Sequence, residues 1–246
     1  MNPDREQILR EMGLGPVWKL RVPTAAMPVG QVATAAPAAA VPLPAAAPVS
    51  GSASIAPSDA MDWDELAATV AACRACRLCE ARKQAVLGVG DRNADWLFVG
   101  EGPGAEEDQR GEPFVGQAGK LLDNMLAAIG LKRGADVYIA NAVKCRPPEN
   151  RTPTPEEAAT CRPYLERQIE LIRPKLIVAL GRPAAQTLLQ TEIKIAAARG
   201  KLHDYRGIPL IVTYHPAYLL RTLLDKARAW EDLCFMRQTM KQRKDA

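Results

Sequence analysis

Four short runs of apolar, β-favouring residues recur in the C-terminal three quarters of the chain, and amphipathic stretches accompany them. The runs are Trp96–Val99, Val137–Ala140, Leu176–Leu180 and Ile208–Thr213. Helical periodicity occupies residues 117–130, 155–172, 182–190 and 222–240. Apolar runs that alternate with helices are typical of a parallel sheet covered on both faces. We therefore expect an α/β fold with a three-layer, four-stranded, mainly parallel sheet flanked by helices.

The first 60 residues have a different pattern. Residues 22–60 hold 14 alanines and 7 of the 20 prolines, and Asp59 is their only charged residue. This composition predicts a disordered Ala/Pro-rich linker. Before it, residues 1–21 place Ile8, Leu9 and Met12 at helical spacing, which predicts a short helical segment that either frays or docks on a protein partner. The folded domain is expected at 61–246.

Composition and charge exclude several classes of protein. The chain carries 32 basic and 28 acidic residues, and its net charge of +4 is compatible with a polyanionic partner without proving one. No apolar run reaches the ~18 residues of a spanning helix, and the N-terminus lacks the apolar region of a secretory signal. Six cysteines are too few for a disulfide scaffold. We expect a soluble, cytoplasmic protein that does not bind membranes.

The residues that follow the four predicted strands are the most informative. They are Gly100-Glu101-Gly102-Pro103-Gly104, Asn141, Gly181 and Tyr214-His215. In open α/β sheets ligands bind beyond the carboxyl ends of the strands, so these glycines, the carboxylate, the amide and the imidazole should meet at one edge. This arrangement predicts a catalytic site there.

Each of these residues also has an ordinary structural interpretation. The glycine-rich segment can be a tight turn, and its Pro103 argues against a dinucleotide cradle. Phe114, in a polar loop, can be a base-stacking platform or a core anchor. Asn141 can cap a strand or present a donor and an acceptor to a nucleobase edge. His215 can be structural or catalytic.

The cysteines form two groups in the sequence. Cys73 and Cys76 make a C-x₂-C pair, and Cys145 and Cys161 are separated by 15 residues. Four such thiolates can hold zinc or a [4Fe–4S] cluster, and ligand type alone does not decide between them. Free buried thiols are the alternative, and Cys79 is a fifth candidate ligand.

Two further segments pair basic with apolar residues. They are Arg146–Arg151 and Tyr218–Arg221, both expected on loops. Basic residues beside apolar ones suit a loop that contacts phosphate and wedges into a base stack.

Together these motifs resemble the family 4 uracil-DNA glycosylases, the iron–sulfur branch of that superfamily. The resemblance extends from about Trp63 to Leu233. It depends on the C-x₂-C pair, on the Cys161 spacing, and on four motifs: GEGPG at 100–104, EPFVGQAGKLL at 112–122, NAVKCRPPENR at 141–151 and HPAYLLR at 215–221.

The resemblance implies a fold, a cofactor and a reaction. The fold is a small parallel sheet between helices, so that residues 61–246 would form the catalytic domain. The cofactor is a [4Fe–4S] cluster with a structural role, whose ligands would be Cys73, Cys76, Cys145 and Cys161, with Cys79 a spectator. The reaction is hydrolysis of the N-glycosidic bond of uracil in single- or double-stranded DNA during base excision repair, by a monomeric enzyme.

The resemblance also assigns roles around uracil. His215 would donate to uracil O2, and Asn141 would bond uracil O4 and N3–H and so reject cytosine. Phe114 would stack on the base. Glu101, with the backbone at Gly102 and Gly104, would line the pocket and orient water, with Asp108 and Asn150 as further candidates for activating it. Glu107 would lie near uracil C5, where crowding excludes the methyl group of thymine.

Further implications concern DNA contact and turnover. The expected DNA-contacting residues are Asn150, Arg151, Leu219, Leu220 and Arg221. Residues 144–152 contain no histidine of the kind that forms a covalent adduct in a related branch, so turnover is expected. The competing hypothesis is a non-catalytic iron–sulfur, DNA-binding accessory protein of the replication and repair machinery.

Overall fold

The computed structural model describes residues 61–244. The predicted helical segment at 1–21 and the predicted linker at 22–60 lie outside the described residues. Within them, no helix is long and apolar enough to cross a membrane.

The centre of the fold is a six-stranded sheet. Its strands are β1 (Val89–Gly90), β2 (Trp96–Gly100), β3 (Val137–Asn141), β4 (Leu176–Leu180), β5 (Leu202–Tyr205) and β6 (Ile208–Thr213). Their spatial order is β1-β3-β2-β4-β6-β5. The four inner strands are parallel and coincide with the four predicted ones, whereas the two edge strands are antiparallel.

The expected strand count of four is therefore wrong, and the edges explain why. β1 has only two residues, and β5 exposes Leu202 and Asp204 to solvent. Neither contains the continuous apolar run that marks a strand buried on both faces. Both are short edge strands, which commonly terminate a sheet without a strong sequence signal.

Nine helices flank the sheet in the described part of the chain. They are α1 (Trp63–Ala72), α2 (Leu78–Ala81), α3 (Ala105–Arg110), α4 (Gln117–Ala128), α5 (Pro155–Ile172), α6 (Arg182–Leu189), α7 (Ile195–Ala198), α8 (Pro216–Arg221) and α9 (Asp225–Lys244). A 3₁₀ turn spans Pro148–Asn150. Local hydrogen bonds fix the first turns of α1 and α5. At these two helix starts Asp62 and Thr154 form capping boxes with Glu65 and Glu157, three residues later.

Side-chain alternation along the strands produces the three layers. In β2, Trp96 and Phe98 pack with α4, α8 and α9 on one face of the sheet. Leu97 and Val99 point to the other face and pack with α5 and α6. A third cluster joins α1, α2 and the start of α5 beside the end of β3. The predicted three-layer α/β architecture is confirmed.

Strand register brings the strand ends together. Gly100 pairs with Asn141, and Leu180, which precedes Gly181, pairs with Thr213. Because these strands are parallel, the residues that follow them emerge at one edge of the sheet.

Candidate active site

A cleft with a volume of about 1040 Å³ opens at this edge. Segments that follow all four parallel strands line it. The predicted site residues that it brings together are Glu101, Gly102, Gly104, Glu107, Phe114, Asn141, Asn150, Arg151, His215 and Arg221. The expectation that the strand ends form one site is thus met by the geometry.

Gly100 makes room for the centre of this cleft. A Cβ at this position would lie 2.5 Å from both the Asn141 Oδ1 atom and the Phe114 Cζ atom. Any side chain here would displace one of the two. The missing side chain therefore allows an amide and an aromatic ring to converge at the end of β2.

The Phe114 ring is both a core residue and a wall of the cleft. It is buried within the α4–α9 core, and its centroid lies 5.4 Å from that of the His215 ring at an interplanar angle of 29°. Its backbone has a positive φ of 56°, a strained conformation for a bulky residue. The Arg133 guanidinium holds it there by donating to the carbonyl oxygens of Pro113 and Phe114, each at 2.9 Å.

The role of Arg133 could not be recognised from the sequence, because this residue lies well outside the loop that it stabilises. Its Nε also donates to Asp123 at 2.9 Å, which fixes the guanidinium between α4 and the Phe114 loop. Nothing in the local sequence around Arg133 indicates this role.

Asn141 carries an unused acceptor in the cleft. The residue is only 2% exposed, and its Oδ1 atom has no hydrogen-bond partner among the described residues. Buried polar atoms in native proteins are almost always paired, so an unpaired acceptor on a residue that lines a cleft points to a ligand that supplies the donor when it binds. The Asn141 carbonyl oxygen, by contrast, accepts from the buried Lys144 Nζ at 2.8 Å.

His215 is held as a neutral donor. Its Nδ1 atom accepts the backbone N–H of Ala217 at 3.1 Å and so caps α8, which leaves the ring proton on Nε2. Burial, and then the positive charge of Arg221, lowers the pKa of His215 to about 4. At neutral pH the ring can therefore donate a hydrogen bond from Nε2 without carrying a charge.

The acidic residues of the first motif have separate roles. Burial raises the pKa of the Glu101 carboxyl, which lines the cleft. The Glu107 carboxylate accepts from the backbone N–H groups of Gly104, Val115 and Gly116 at 3.1, 2.9 and 3.2 Å. Glu107 thus closes the loop that carries Phe114, in addition to lining the cleft.

Asp108 does not belong to the site, which corrects its expected role as a water-activating candidate. It is 2% exposed and does not line the cleft. Its carboxylate accepts the backbone N–H of Lys83 at 2.9 and 3.1 Å, and that of Gln84 at 3.5 Å. These bonds attach α3 to the segment that follows the first cysteines.

Leu219 is also not a DNA contact, contrary to the expectation. It is 1% exposed and packs in the core, because helix α8 turns this residue toward the sheet. Leu220 is 41% exposed, as a contact residue should be. Two leucines beyond the expected set, Leu223 and Leu224, are 63% and 90% exposed.

The basic residues at the rim of the cleft differ in whether another side chain already pairs with them. Arg151 makes a two-pronged ion pair with Glu157 at 2.7 and 2.8 Å, and Asn150 Oδ1 accepts from Arg146 at 2.8 Å. Arg221 forms no ion pair with another described residue. Asn150, Arg151 and Arg221 line the cleft, and their binding of DNA stays a prediction.

Four cysteines gather in the third cluster. Cys145 and Cys161 are buried there, and Cys73 and Cys76 pack against the same apolar residues. Arg82 donates to Cys145 Sγ at 2.7 Å, and the Lys144 backbone N–H donates to Cys161 Sγ at 3.2 Å. Among residues 61–244, no three His, Cys, Asp or Glu side chains stand in a ready metal-binding arrangement.

The donor set nevertheless fits an iron–sulfur cluster. Thiolates are the ligands that such clusters and zinc prefer. A guanidinium and a backbone N–H already donate to two of the sulfurs, and hydrogen bonds of this kind stabilise anionic sulfur. Cys79 is half-buried, like Cys73 and Cys76, and its backbone N–H donates to the Cys76 carbonyl oxygen, but it is not among the residues that pack in the apolar cluster.

Comparison with known proteins identifies a family and several similar enzymes. Residues 87–234 match the family described as the Uracil DNA glycosylase superfamily. The chain is 49% identical to the type-4 uracil-DNA glycosylase of Archaeoglobus fulgidus over 64% of this chain and 82% of that protein. It is 48% identical to the type-4 enzyme of Thermotoga maritima (63% and 82% covered) and 44% identical to that of Pyrobaculum aerophilum (65% and 86% covered).

Proposed function

This chain belongs to the uracil DNA glycosylase superfamily and to its type-4 group, and we propose that it hydrolyses the N-glycosidic bond of uracil in DNA, leaving an abasic site for repair. The observation that carries the proposal is the buried Asn141 Oδ1 atom, which has no partner among the described residues and belongs to a residue that lines the cleft beside Phe114 at the end of β2. A pyrimidine that stacks on Phe114 and donates N3–H to this oxygen completes an otherwise unsatisfied site.

Base recognition follows from the asparagine amide. Its Oδ1 accepts uracil N3–H while its Nδ2 donates to uracil O4. Cytosine presents an acceptor at N3 and a donor at the exocyclic amine, so both contacts would be reversed. Selection of uracil over cytosine therefore depends on Asn141 being held in one orientation by its buried surroundings.

His215 acts on the leaving group. As the bond from N1 of uracil to C1′ of the sugar breaks, its electron pair moves onto the base, and charge develops at O2. A neutral Nε2–H aimed at that oxygen stabilises the charge with little reorganisation. Since the pKa of His215 is lowered to about 4, the ring stays neutral and does not need to transfer its proton.

Glu101 acts on the attacking water. Water must add its oxygen to C1′ as the base departs, and it loses a proton in the process. A carboxylate whose pKa is raised by burial is better suited to orient that water and to accept the proton than an ordinary surface carboxylate. Glu101 follows Gly100 at the end of β2 and lines the cleft, which supports this assignment.

The DNA must present uracil outside the base stack. Three exposed leucines, at 220, 223 and 224, lie shortly after His215 in the sequence. Their apolar side chains can fill the space that the extruded uracil leaves in the base stack. Arg221 at the rim supplies positive charge for the phosphates, and Arg151 lies at the same rim but shares its charge with Glu157.

We expect purified protein to release uracil from a uracil-containing oligonucleotide with multiple turnovers. Alkali-labile strand cleavage measures the release, with thymine and cytosine oligonucleotides as controls. Cleavage at uracil alone supports the proposal. Tight DNA binding without cleavage at any base would contradict it and would favour the accessory-protein hypothesis.

The cofactor belongs to the same proposal. Cys73, Cys76, Cys145 and Cys161 would hold a [4Fe–4S] cluster, which when bound would fix the segment before β1 to the loop after β3. Support comes from the burial of two of these thiols and from the Arg82 and Lys144 donors beside them. Hydrolysis of the glycosidic bond changes no oxidation state, so no reaction step requires electron transfer.

Replacement of Cys145 by serine should abolish iron binding and lower the thermal unfolding temperature. The reason is that loss of a buried ligand removes the crosslink between two distant segments. Iron and sulfide analysis and a thermal melt measure both effects. Cys79→Ser is the matched control, and it should retain iron. Bound zinc without iron, or iron loss in the Cys79 variant, would contradict this ligand assignment.

A further inference from the structure

The cleft continues well beyond the place of the base. Pockets of ~300–1000 Å³ hold drug-sized ligands, whereas a single pyrimidine is much smaller. The remaining part runs along α8 toward α6, α7 and the start of α9. Its lining includes Tyr214, Tyr218, Lys194, Arg182 and Arg228.

Tyr218 is an ordered aromatic surface in this second part. Its ring stacks on that of Tyr214, with centroids 5.3 Å apart and an interplanar angle of 12°. Tyr214 is 8% exposed, but Tyr218 is 36% exposed. The Tyr218 hydroxyl donates to Asp225 at 2.6 Å, and Arg228 pairs with the same carboxylate at 3.0 Å. The ring is therefore held in place before any ligand arrives.

Three cations without ion-pair partners among the described residues line the same cleft as this ring. Arg182, Lys194 and Arg221 line the cleft, are exposed, and make no ion pair with another described residue. The acidic residues of the cleft have partners of their own: Asp225 pairs with Arg228, Glu107 accepts from backbone N–H groups, and the positive charge of Arg182 acts on Glu101. An aromatic ring among free cations is the arrangement that binds single-stranded nucleic acid through stacking and phosphate contacts.

We propose that Tyr218 is a stacking subsite for a base adjacent to the extruded uracil in the same strand, with Arg182, Lys194 and Arg221 on the intervening phosphates. This inference rests on the proposed function and specifies its substrate, a strand that is locally unpaired beside the uracil. Stacking tolerates any base, so the subsite adds affinity without adding sequence preference.

The test compares single-stranded oligonucleotides that differ only beside the uracil. One has normal bases on both sides, and two others carry a base-free sugar analogue on the 5′ or the 3′ side. Tyr218→Ala in the full-length, cluster-containing protein should raise KM about 10-fold or more on the normal strand, with little change in kcat. On the oligonucleotide that lacks the stacked base, the variant and the wild type should have similar KM values. In a double-mutant cycle, removing one partner of an interaction abolishes the effect of removing the other.

Two further variants make the result specific. Tyr218→Phe keeps the ring and should retain the dependence on the neighbouring base. Trp230→Ala removes an aromatic residue that is 47% exposed but lies outside the cleft lining, and it should behave as wild type. Thermal melts verify that all three variants are folded.

Several outcomes would overturn the inference. If Tyr218→Ala raises KM equally on all three oligonucleotides, the residue only supports the fold. Loss of the neighbour effect in Tyr218→Phe would assign the role to the hydroxyl and Asp225. If the wild type releases no uracil from any strand, the proposed function fails. Fluorescence anisotropy with the same oligonucleotides then still decides whether Tyr218 binds the adjacent base.

Discussion

Substitution of His215 by alanine is expected to lower the rate of uracil release by a factor of ~10² or more, while DNA binding stays near that of the wild type. His215 lines the cleft beside Phe114, where in the proposed reaction charge would develop on the departing base. A donor that is stronger in the transition state than in the ground state affects the rate more than the affinity. Single-turnover kinetics with saturating enzyme, together with a binding titration, separate the two quantities.

His215→Asn is the matched control, because the histidine also caps α8 through Nδ1. Asparagine is a good N-cap residue, so this variant keeps the helix start and removes the Nε2 donor. It should be as slow as the alanine variant and more stable than it. Recovery of activity in the asparagine variant would show that His215 acts through the helix cap alone.

The pH dependence follows from the same residue. Its pKa is lowered to about 4 by burial, whereas a histidine in an unfolded chain titrates near ~6.5. Because the folded pKa lies below the unfolded one, this residue's contribution to stability is present above the unfolded pKa and is lost as the pH falls toward 4. Protonation of His215 should therefore not reduce uracil release at pH values well above 4, which a pH–rate profile checks.

Substitution of Asn141 by aspartate is expected to reduce the preference for uracil over cytosine by a factor of ~10². The carboxylate loses the Nδ2 donor to uracil O4 and offers an acceptor that suits the exocyclic amine of cytosine. It also places a negative charge at a position that is 2% exposed, beside a base that becomes negative as the bond breaks. Uracil release should fall, and cytosine release should become measurable.

Base release from matched uracil and cytosine oligonucleotides measures this change. Asn141→Ala is the control, since it removes donor and acceptor together and should lose activity on uracil without gaining activity on cytosine. An unchanged ratio of uracil to cytosine release in the aspartate variant would move base recognition to another residue.

The main features of the sheet and the cleft were predictable because they depend on local pattern. Strands that are buried on both faces must be apolar throughout, and parallel strands end at the same edge of a sheet. The sequence alone therefore predicts that Asn141 and His215 lie at one edge. The four inner strands begin as predicted, at Trp96, Val137, Leu176 and Ile208.

What could not be predicted depends on how a side chain is oriented within its element. Leu219 and Leu220 are adjacent and chemically identical, yet helix α8 buries the first and exposes the second. Asp108 follows Glu107, yet α3 turns it away from the cleft toward Lys83. Arg133 stabilises a loop that ends many residues before it, and only the tertiary structure shows that contact.

The neighbouring carboxylates of α3 have a consequence for how the protein is assembled. Asp108 holds the backbone of the segment that follows Cys73 and Cys76, and Glu107 holds the backbone of the loop that carries Phe114. One short helix thus connects the proposed cluster ligands with the stacking ring. If the four cysteines hold a cluster as proposed, its loss should therefore also loosen the aromatic wall of the cleft, because the two carboxylates of this helix link the two regions.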